Sequence, residues 1–374
     1  MKEFEVLAPG RAEVLGNHTD YNEGLVLSIA INVGTRIVGS AREDESLLFH
    51  SEGLKESWQG SLSEMRPLKE PEATWPNYIL GMAQGFRDLG HAKHGVEFRV
   101  STTIPIGAGL SSSAALEMAS GLAFQNVYGV TVDSLELAKM GQKAEHTYAG
   151  VKCGLLDQIS VLMGKDKHLT FIDCRSLEVR HLSFPEGWTF VIIHSGVNHA
   201  LTGGEYNERR EACEEAAKIL GCANLRDVTP GELDERKAEL PDLVYRRAMH
   251  PVGETARVAQ SVSCLATGNI EGLGKLMFDS HQSSIDYFEN SCEELDFLVE
   301  QARQQPQCIG ARLSGGGFGG ATINLVREDE AAEFAEVMQK RYQEHYGKKP
   351  LVLVSPPSMG AHLEDEPSLT TLSR

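Results

Sequence analysis

The stretch from 105 to 116, Pro-Ile-Gly-Ala-Gly-Leu-Ser-Ser-Ser-Ala-Ala-Leu, constrains this chain more than any other. Glycine-rich backbone runs through three serines straight into a helix-forming segment, the form of a phosphate cradle. Gly107 and Gly109 have no Cβ to hold a ligand off, and the free N–H groups of the first helical turn point at the same spot. Ser111, Ser112 and Ser113 add hydroxyls that can donate to phosphate oxygens or meet a hydrated magnesium ion. A close-packed strand-to-helix turn would account for the glycines but has no need of three serines. The commoner nucleotide motifs do not fit. The nearest approach to a Walker loop, around Gly274 and Lys275, has Asn269 in place of the first glycine and Leu276 in place of the hydroxyl. The run also lacks the Gly-x-Gly-x-x-Gly spacing of a dinucleotide fold.

At 374 residues and 41% hydrophobic content the chain suits two domains of ordinary size. A formal net charge of -18 argues against nucleic acid or an anionic membrane as partner, so any phosphate must be met by local chemistry. The seven cysteines, at positions from Cys153 to Cys308, form no Cys-x-x-Cys pair and no metal quartet. They read as reduced thiols of a cytoplasmic protein. Met1 to Leu7 contains no long apolar run, so neither a signal peptide nor a membrane span is expected, and nothing points to an obligate protein partner.

Alternating apolar residues predict strands over 4–8 and 25–40, enclosing a turn at 16–24. Helical spacing predicts helices over 76–89, 113–128 and 134–148, the second stopped by Gly129 and the third capped by Asp133 with Glu136 three residues on. A short helix after Gly154 carries Leu155, Leu156, Ile159 and Leu162 on one face. After a strand over 168–173 the polar stretch Asp173 to Glu178 suggests a boundary, dividing the chain into 1–175 and 176–374. The second part alternates strands near 188–194, 310–313, 320–326 and 350–354 with helices near 205–220, 252–267, 293–304 and 329–345. The fold class is therefore α+β in two domains, with a loose acidic tail after Ala361.

Three segments resemble one family in its order. Gly10-Arg11-Ala12-Glu13-Val14-Leu15-Gly16-Asn17-His18-Thr19-Asp20-Tyr21-Asn22 resembles the sugar signature of the galactokinase branch of the GHMP kinases, the serine cradle its second motif, and Ser314-Gly315-Gly316-Gly317-Phe318-Gly319-Gly320 its third. Between them lie Cys153-Gly154-Leu155-Leu156-Asp157-Gln158 and Tyr206-Asn207-Glu208-Arg209-Arg210. The resemblance implies the two-domain GHMP kinase fold, with sugar and ATP in the cleft between the halves. It also implies transfer of the γ-phosphoryl group of MgATP to the anomeric hydroxyl of galactose. A non-catalytic galactose and ATP sensor is the alternative, against which stand the complete cradle and the presence of Arg11, Asp157 and Glu145.

The resemblance also implies roles. Asp157 faces the hydroxyl that is phosphorylated, with Arg11 beside it. Alone, Asp157 would read as a helix-capping acid and Arg11 as half of a surface ion pair. Whether Asp157 removes the proton or acts by position and charge is open at this level. Ser112 or its neighbour Ser113, with Glu145, would hold magnesium, while Gly107, Gly109 and Ser111 complete the phosphate site and Trp75 lies on the adenine side. His18, Asp20, Gly154 and Tyr206 would surround the sugar, where a missing hydroxyl partner costs about 1 to 3 kcal/mol and so discriminates between epimers. One departure stands out. The family has glutamate immediately before the histidine, near the sugar's C6, and this chain has Asn17. An amide both donates and accepts, so Asn17 is expected to bind at the C6 end and to relax selectivity toward a C6-altered sugar such as galacturonate. A second departure, Ala321 where many members carry cysteine, has no functional weight.

Overall fold

A computed structural model describes residues 3–69, 74–105, 107–151, 153–197 and 204–364. Two sheets organise it. In the first, β1 (Phe4–Leu15) and β2 (Leu25–Ala41) form a long antiparallel hairpin with Arg11 opposite Ala30. The sheet continues through β3 (Ser46–Ser51), β4 (Glu56–Ser61), β5 (Val96–Thr102), β6 (His168–Asp173) and β7 (Val179–Ser183). The second sheet contains β8 (Trp188–His194), β9 (Cys308–Ser314), β10 (Ala321–Arg327) and β11 (Leu351–Ser355), in the order β11-β8-β10-β9.

Helices α1 (Pro76–Asp88), α2 (Ser112–Tyr128), α3 (Ser134–Ala144) and α4 (Leu156–Met163) belong with the first sheet. The buried face of α2 includes Ala114, Ala115 and Ala119, small residues that let its N-terminus lie close to β1 and β2. On the C-terminal side follow α5 (Gly204–Leu220), α6 (Pro230–Glu235), α7 (Asp242–Ala266), α8 (Ile270–Ser283), α9 (Glu293–Arg303) and α10 (Ala331–Tyr346). Val191, Ile193, Phe334, Met338 and Tyr342 form a core between the second sheet and α10. β1 joins the two halves. Ala12 and Val14 belong to the N-terminal core, while Glu13 donates its backbone N–H to Ser314 Oγ at 2.9 Å, at the end of β9.

The expected α+β class and most elements are present, with differences that have physical causes. β1 runs to Leu15 rather than ending near residue 8, because its second half is covered from both sides and needs no alternation of apolar and polar residues. β3, β4, β5 and β7 were not expected from sequence, and α8 was likewise missed. α7 begins at Asp242 and passes through the buried Pro251, where the sequence suggested a start at 252. A proline inside a helix costs about 3 kcal/mol, and the packing of Val244, Tyr245, Ala248 and Val252 in one core offsets it. Asp133 does cap α3, accepting from the N–H of Leu135 and Glu136. The expected helix over 134–148 is α3 followed by a π-turn, Glu145–Ala149.

Sheet membership does not follow the order of the chain at residue 175, since β7 pairs with β6 in the first sheet. The C-terminal segment also returns there. Ala361 donates to Val161, and β12 (His362–Leu363) pairs with β1, so the tail expected to be loose is anchored at least to Leu363. Residues 365–374 lie outside the described residues. Among the described residues no helix is long and apolar enough to cross a membrane.

The hairpin turn that follows β1 depends on Gly16. Its φ is +103°, and an added Cβ would stand 2.5 Å from Leu25 O and 2.7 Å from Val26 Cα, both backbone atoms. Gly16→Ala is therefore expected to destabilise the fold by about 2 to 4 kcal/mol, read by denaturant unfolding. A wild-type midpoint would show that the turn has room the backbone geometry denies.

Candidate active site

Ser113 at the start of α2, the β1–β2 turn, the N-terminus of α4 and the Ser314–Gly320 loop converge on a cavity of about 560 Å³, whose lining does not include Gly107, Gly109 or Ser111. At its centre Arg11 forms a two-pronged ion pair with Asp157, Nε to Oδ1 at 2.7 Å and Nη2 to Oδ2 at 2.9 Å. Arg11 Nη1 donates to Gly109 O at 2.7 Å, and its backbone N–H donates to Leu110 O. One side chain thus ties β1 to the cradle and to α4. Burial works against the Arg11 charge, yet the Asp157 carboxylate outweighs it and the guanidinium pKa stands above its usual value. Ser111, held at φ +57° ahead of α2, donates its hydroxyl to Asp157 Oδ2 at 2.5 Å. Its expected place was on phosphate. The left-handed turn instead aims it at the carboxylate, leaving the α2 N-terminus with Ser112 and Ser113 to face the loop.

On the other side of Asp157, Asp20 and Gly154 are in contact by necessity. A Cβ on Gly154 would lie 2.0 Å from Asp20 Oδ2, so only glycine admits that carboxylate. Burial pushes the Asp20 carboxyl up to about 6, with Glu13 and Asp157 adding repulsion. Tyr206 closes this wall, and burial raises its phenol well above the ordinary value. His18 is buried and its imidazole pKa falls to about 4, chiefly by desolvation. It is neutral at pH 7. Gly316 O can only accept, so Nε2 carries the proton toward it at 3.0 Å, and Nδ1 accepts from Tyr21 O–H at 2.9 Å. Both ring nitrogens are engaged by protein, so His18 meets the cavity through its ring, packed against Tyr206 and Phe288.

Asn17 departs furthest from expectation. It is 1% exposed, and its Nδ2 donates to Glu13 Oε1 at 3.1 Å and to Gly315 O at 2.7 Å. Its Oδ1 accepts from Asn290 Nδ2 at 2.9 Å and faces His250 Nε2 at 3.4 Å. Every hydrogen-bonding position of the amide is filled by protein, so the expected contact with the C6 end of a sugar has no group left to make it. Behind the turn, Glu254 Oε2 accepts from the N–H of Gly16 and of Asn17, both at 2.9 Å. Burial alone would raise the Glu254 pKa, but Arg257 and Arg312 hold it well below the usual carboxylate range.

Ser113 and Glu145 line the cavity beside the cradle, and Ser113 lies against the Glu145 carboxylate. Burial raises the Glu145 carboxyl, with repulsion from Asp157 in the same direction. Glu145 closes α3 in helical conformation and opens the π-turn, with its side chain buried. Ser112 begins α2 but does not line this cavity. Trp75 precedes α1, packed on the N-terminal core with its indole nitrogen buried and without a hydrogen-bond partner among the described residues, and it does not border the cavity either.

The sequence reading passed over Glu13, Glu254, Asn290 and Arg312. Arg312 is fully buried and donates from Nη1 to Glu13 Oε1 at 2.9 Å. Glu13 had a local signal, since it alternates with Arg11 on a strand and must share its face. The others had none, because they come from α7, the turn after α8 and β9.

Residues 77–165 match the family of GHMP kinases N terminal domains, residues 261–344 that of GHMP kinases C terminal regions, and residues 2–41 the galactokinase galactose-binding signature. A galactokinase of Thermotoga neapolitana is 39% identical over 92% of this chain and 95% of its own length. One of Actinobacillus pleuropneumoniae is 38% identical over 96% of this chain and 94% of its own. Lactococcus lactis galactokinase, solved in complex with galactose, superposes with a TM-score of 0.91 at 32% identity, covering 96% of this chain and 95% of that one. A mevalonate kinase at 19% identity, TM-score 0.67, shares the fold. With likeness running through both halves and almost end to end, the chain belongs to the galactokinase family of the GHMP kinases.

Proposed function

We propose that this protein is a sugar 1-kinase that transfers the γ-phosphoryl group of ATP to the anomeric hydroxyl of D-galactose, giving galactose 1-phosphate. The observation that carries the reading is the Arg11–Asp157 fork in a cavity lined by Ser113 of the serine run and by Asn17, His18 and Asp20 of the β1–β2 turn. The galactose bound in the Lactococcus lactis relative supports the choice of hexose. The sensor and C6-altered-sugar alternatives have no observation of their own. Incubation with MgATP and a panel of hexoses, followed by ADP, tests it directly. Galactose should lead the panel, and no ADP with any hexose would favour a binding protein. Seven free cysteines support a cytoplasmic setting.

Asp157 accepts the proton of the attacking hydroxyl or orients it. Its oxygens already take three donors, two from Arg11 and one from Ser111, so its larger contribution is position and negative charge at the nucleophile. That suits a loose phosphoryl-transfer transition state, in which the proton leaves late. Arg11, adjacent to the transferring group, meets its developing charge. The N-terminus of α2 and the Gly107 to Gly109 backbone cradle the ATP phosphates. Magnesium would supply charge neutralisation between the phosphates. Ser113 and Glu145 fit it, as hard oxygen donors at the cavity wall, and one carboxylate together with phosphate oxygens and water is the usual magnesium set. Trp75 is the weaker part of the proposed nucleotide site.

Asp157→Asn is expected to lower kcat at least about a hundredfold with ATP binding nearly intact. Arg11→Lys should also be harmful, because an ammonium cannot reproduce three directed bonds. Wild-type turnover in Asp157→Asn would remove the assignment.

Ser113→Ala and Glu145→Gln should each raise the magnesium concentration needed for half-maximal rate, and Ser112→Ala should do so far less. If Ser112→Ala has the larger effect, the ligand assignment is reversed.

Asp20 gives a pH signature. A folded pKa of about 6 against an ordinary 3.8 means the folded chain holds this proton longer, so stability from this group is lost as pH rises from about 4 through 6. Sugar binding by the carboxylate runs the other way. The galactose KM, at saturating ATP, should fall as pH rises through about 6, and Asp20→Asn should abolish that bend while raising Tm at pH 8. Gly154→Ala should mimic the loss of affinity by displacing the carboxylate. A flat KM from pH 5 to 7.5 would exclude Asp20 from the sugar contact.

A further inference from the structure

Glu13 brings into the cavity a carboxylate for which phosphoryl transfer has no use. It stands two residues from Arg11 on β1, so both side chains leave the same face of the strand, about 6.6 Å apart along it. Both border the cavity. With Arg11 and Asp157 at the reacting hydroxyl, Glu13 lies one strand repeat further on, a displacement comparable to the span of a hexose ring.

Two donors fix this side chain. Arg312 Nη1 at 2.9 Å and Asn17 Nδ2 at 3.1 Å both reach Oε1. Oε2 accepts no hydrogen bond among the described residues, although Glu13 is itself 3% exposed. A counter-charge for Arg312 explains Oε1 and leaves Oε2 without a task. An ionised carboxylate oxygen can only accept, and a charge-assisted bond from a hydroxyl is among the stronger neutral-ligand contacts. Asn17, whose amide is fully engaged, holds Glu13 in place rather than competing for the ligand.

We propose that Glu13 is the specificity-determining carboxylate of the sugar pocket, its Oε2 accepting a hydrogen bond from one non-reacting hydroxyl of the hexose. The acceptor is thus supplied from β1, four residues before Asn17, and Asn17 is its support. This rests on galactose phosphorylation in this cavity. An acidic group brought to the same place on a sugar would face Glu13 and be rejected, the reverse of the tolerance that the Asn17 amide by itself suggests.

The test compares kcat/KM for galactose and for its 2-, 3-, 4- and 6-deoxy forms in wild type and Glu13→Gln. In the variant the amide oxygen remains on Arg312 and Asn17, and a donor replaces the acceptor at the cavity. Galactose should lose about tenfold or more in kcat/KM, chiefly through KM, while the KM for ATP stays put. Discrimination against one deoxy sugar should collapse while the other three ratios hold. If Glu13→Gln does not fold because Arg312 loses its counter-charge, the double variant Glu13→Gln with Arg312→Met removes both charges and must show the same single collapse. Unchanged ratios in the variant that folds would make Glu13 a structural partner of Arg312 and overturn the proposal. A wild-type chain that forms no ADP from galactose would instead overturn the function on which it rests.

Discussion

The Arg11–Asp157 ion pair is the contact on which the geometry of the cavity depends. Its guanidinium uses Nε and Nη2 on the carboxylate and Nη1 on Gly109 O, so one planar group sets the distance between β1, the cradle and α4. A lysine would supply the charge without the geometry. Arg11 is the more enclosed member, its side chain 9% exposed against 28% for Asp157. Loss of Asp157 would leave the Arg11 charge largely buried and unpaired, so the pair holds the surrounding loops together.

Around it the polar groups form a graded series. Asp157, Asp20, Glu13 and Asn17 border the cavity, and Glu254 with Arg257, His250 and Arg312 close the back. Buried charge is tolerated here because each member answers another. Glu254 meets Arg257 and two backbone N–H groups, and Glu13 meets Arg312. The arrangement draws on both halves of the molecule, so the β1–β2 turn and the second sheet are held by the same hydrogen bonds. Gly315 O and Gly316 O, from the glycine loop after β9, accept from Asn17 and His18 and fasten that joint.

The parts of the site legible in the sequence are those written in local backbone. The glycine-serine run before a helix, the Asp133 cap and the acid in the first turn of α4 can each be read from a few neighbouring residues. Glu13 could have been read from its alternation with Arg11. Ser111 could not, because its left-handed φ reverses the direction a cradle serine would take. Asn17 was misread for a related reason. Its identity is visible in sequence, but the acceptors and donors that saturate it come from residues 250, 290 and 315, which no spacing connects to 17. The missed strands β3, β4 and β5 lie in a region whose short alternating runs acquire meaning only by pairing with one another and with β2.

By itself the sequence determined the family, the α+β class and the place of the glycine-serine run ahead of a helix. Each of these rests on contiguous motifs whose chemistry does not depend on the rest of the chain. Only the tertiary structure decided which serine faces Asp157 and which faces Glu145, that a side chain at position 154 would collide with Asp20, and that the amide of residue 17 is filled by protein partners while Glu13 borders the cavity. The reason is that a side chain's role is set by which of its hydrogen-bonding groups remain unfilled after folding, and the partners that fill them come from strands and helices distant in sequence.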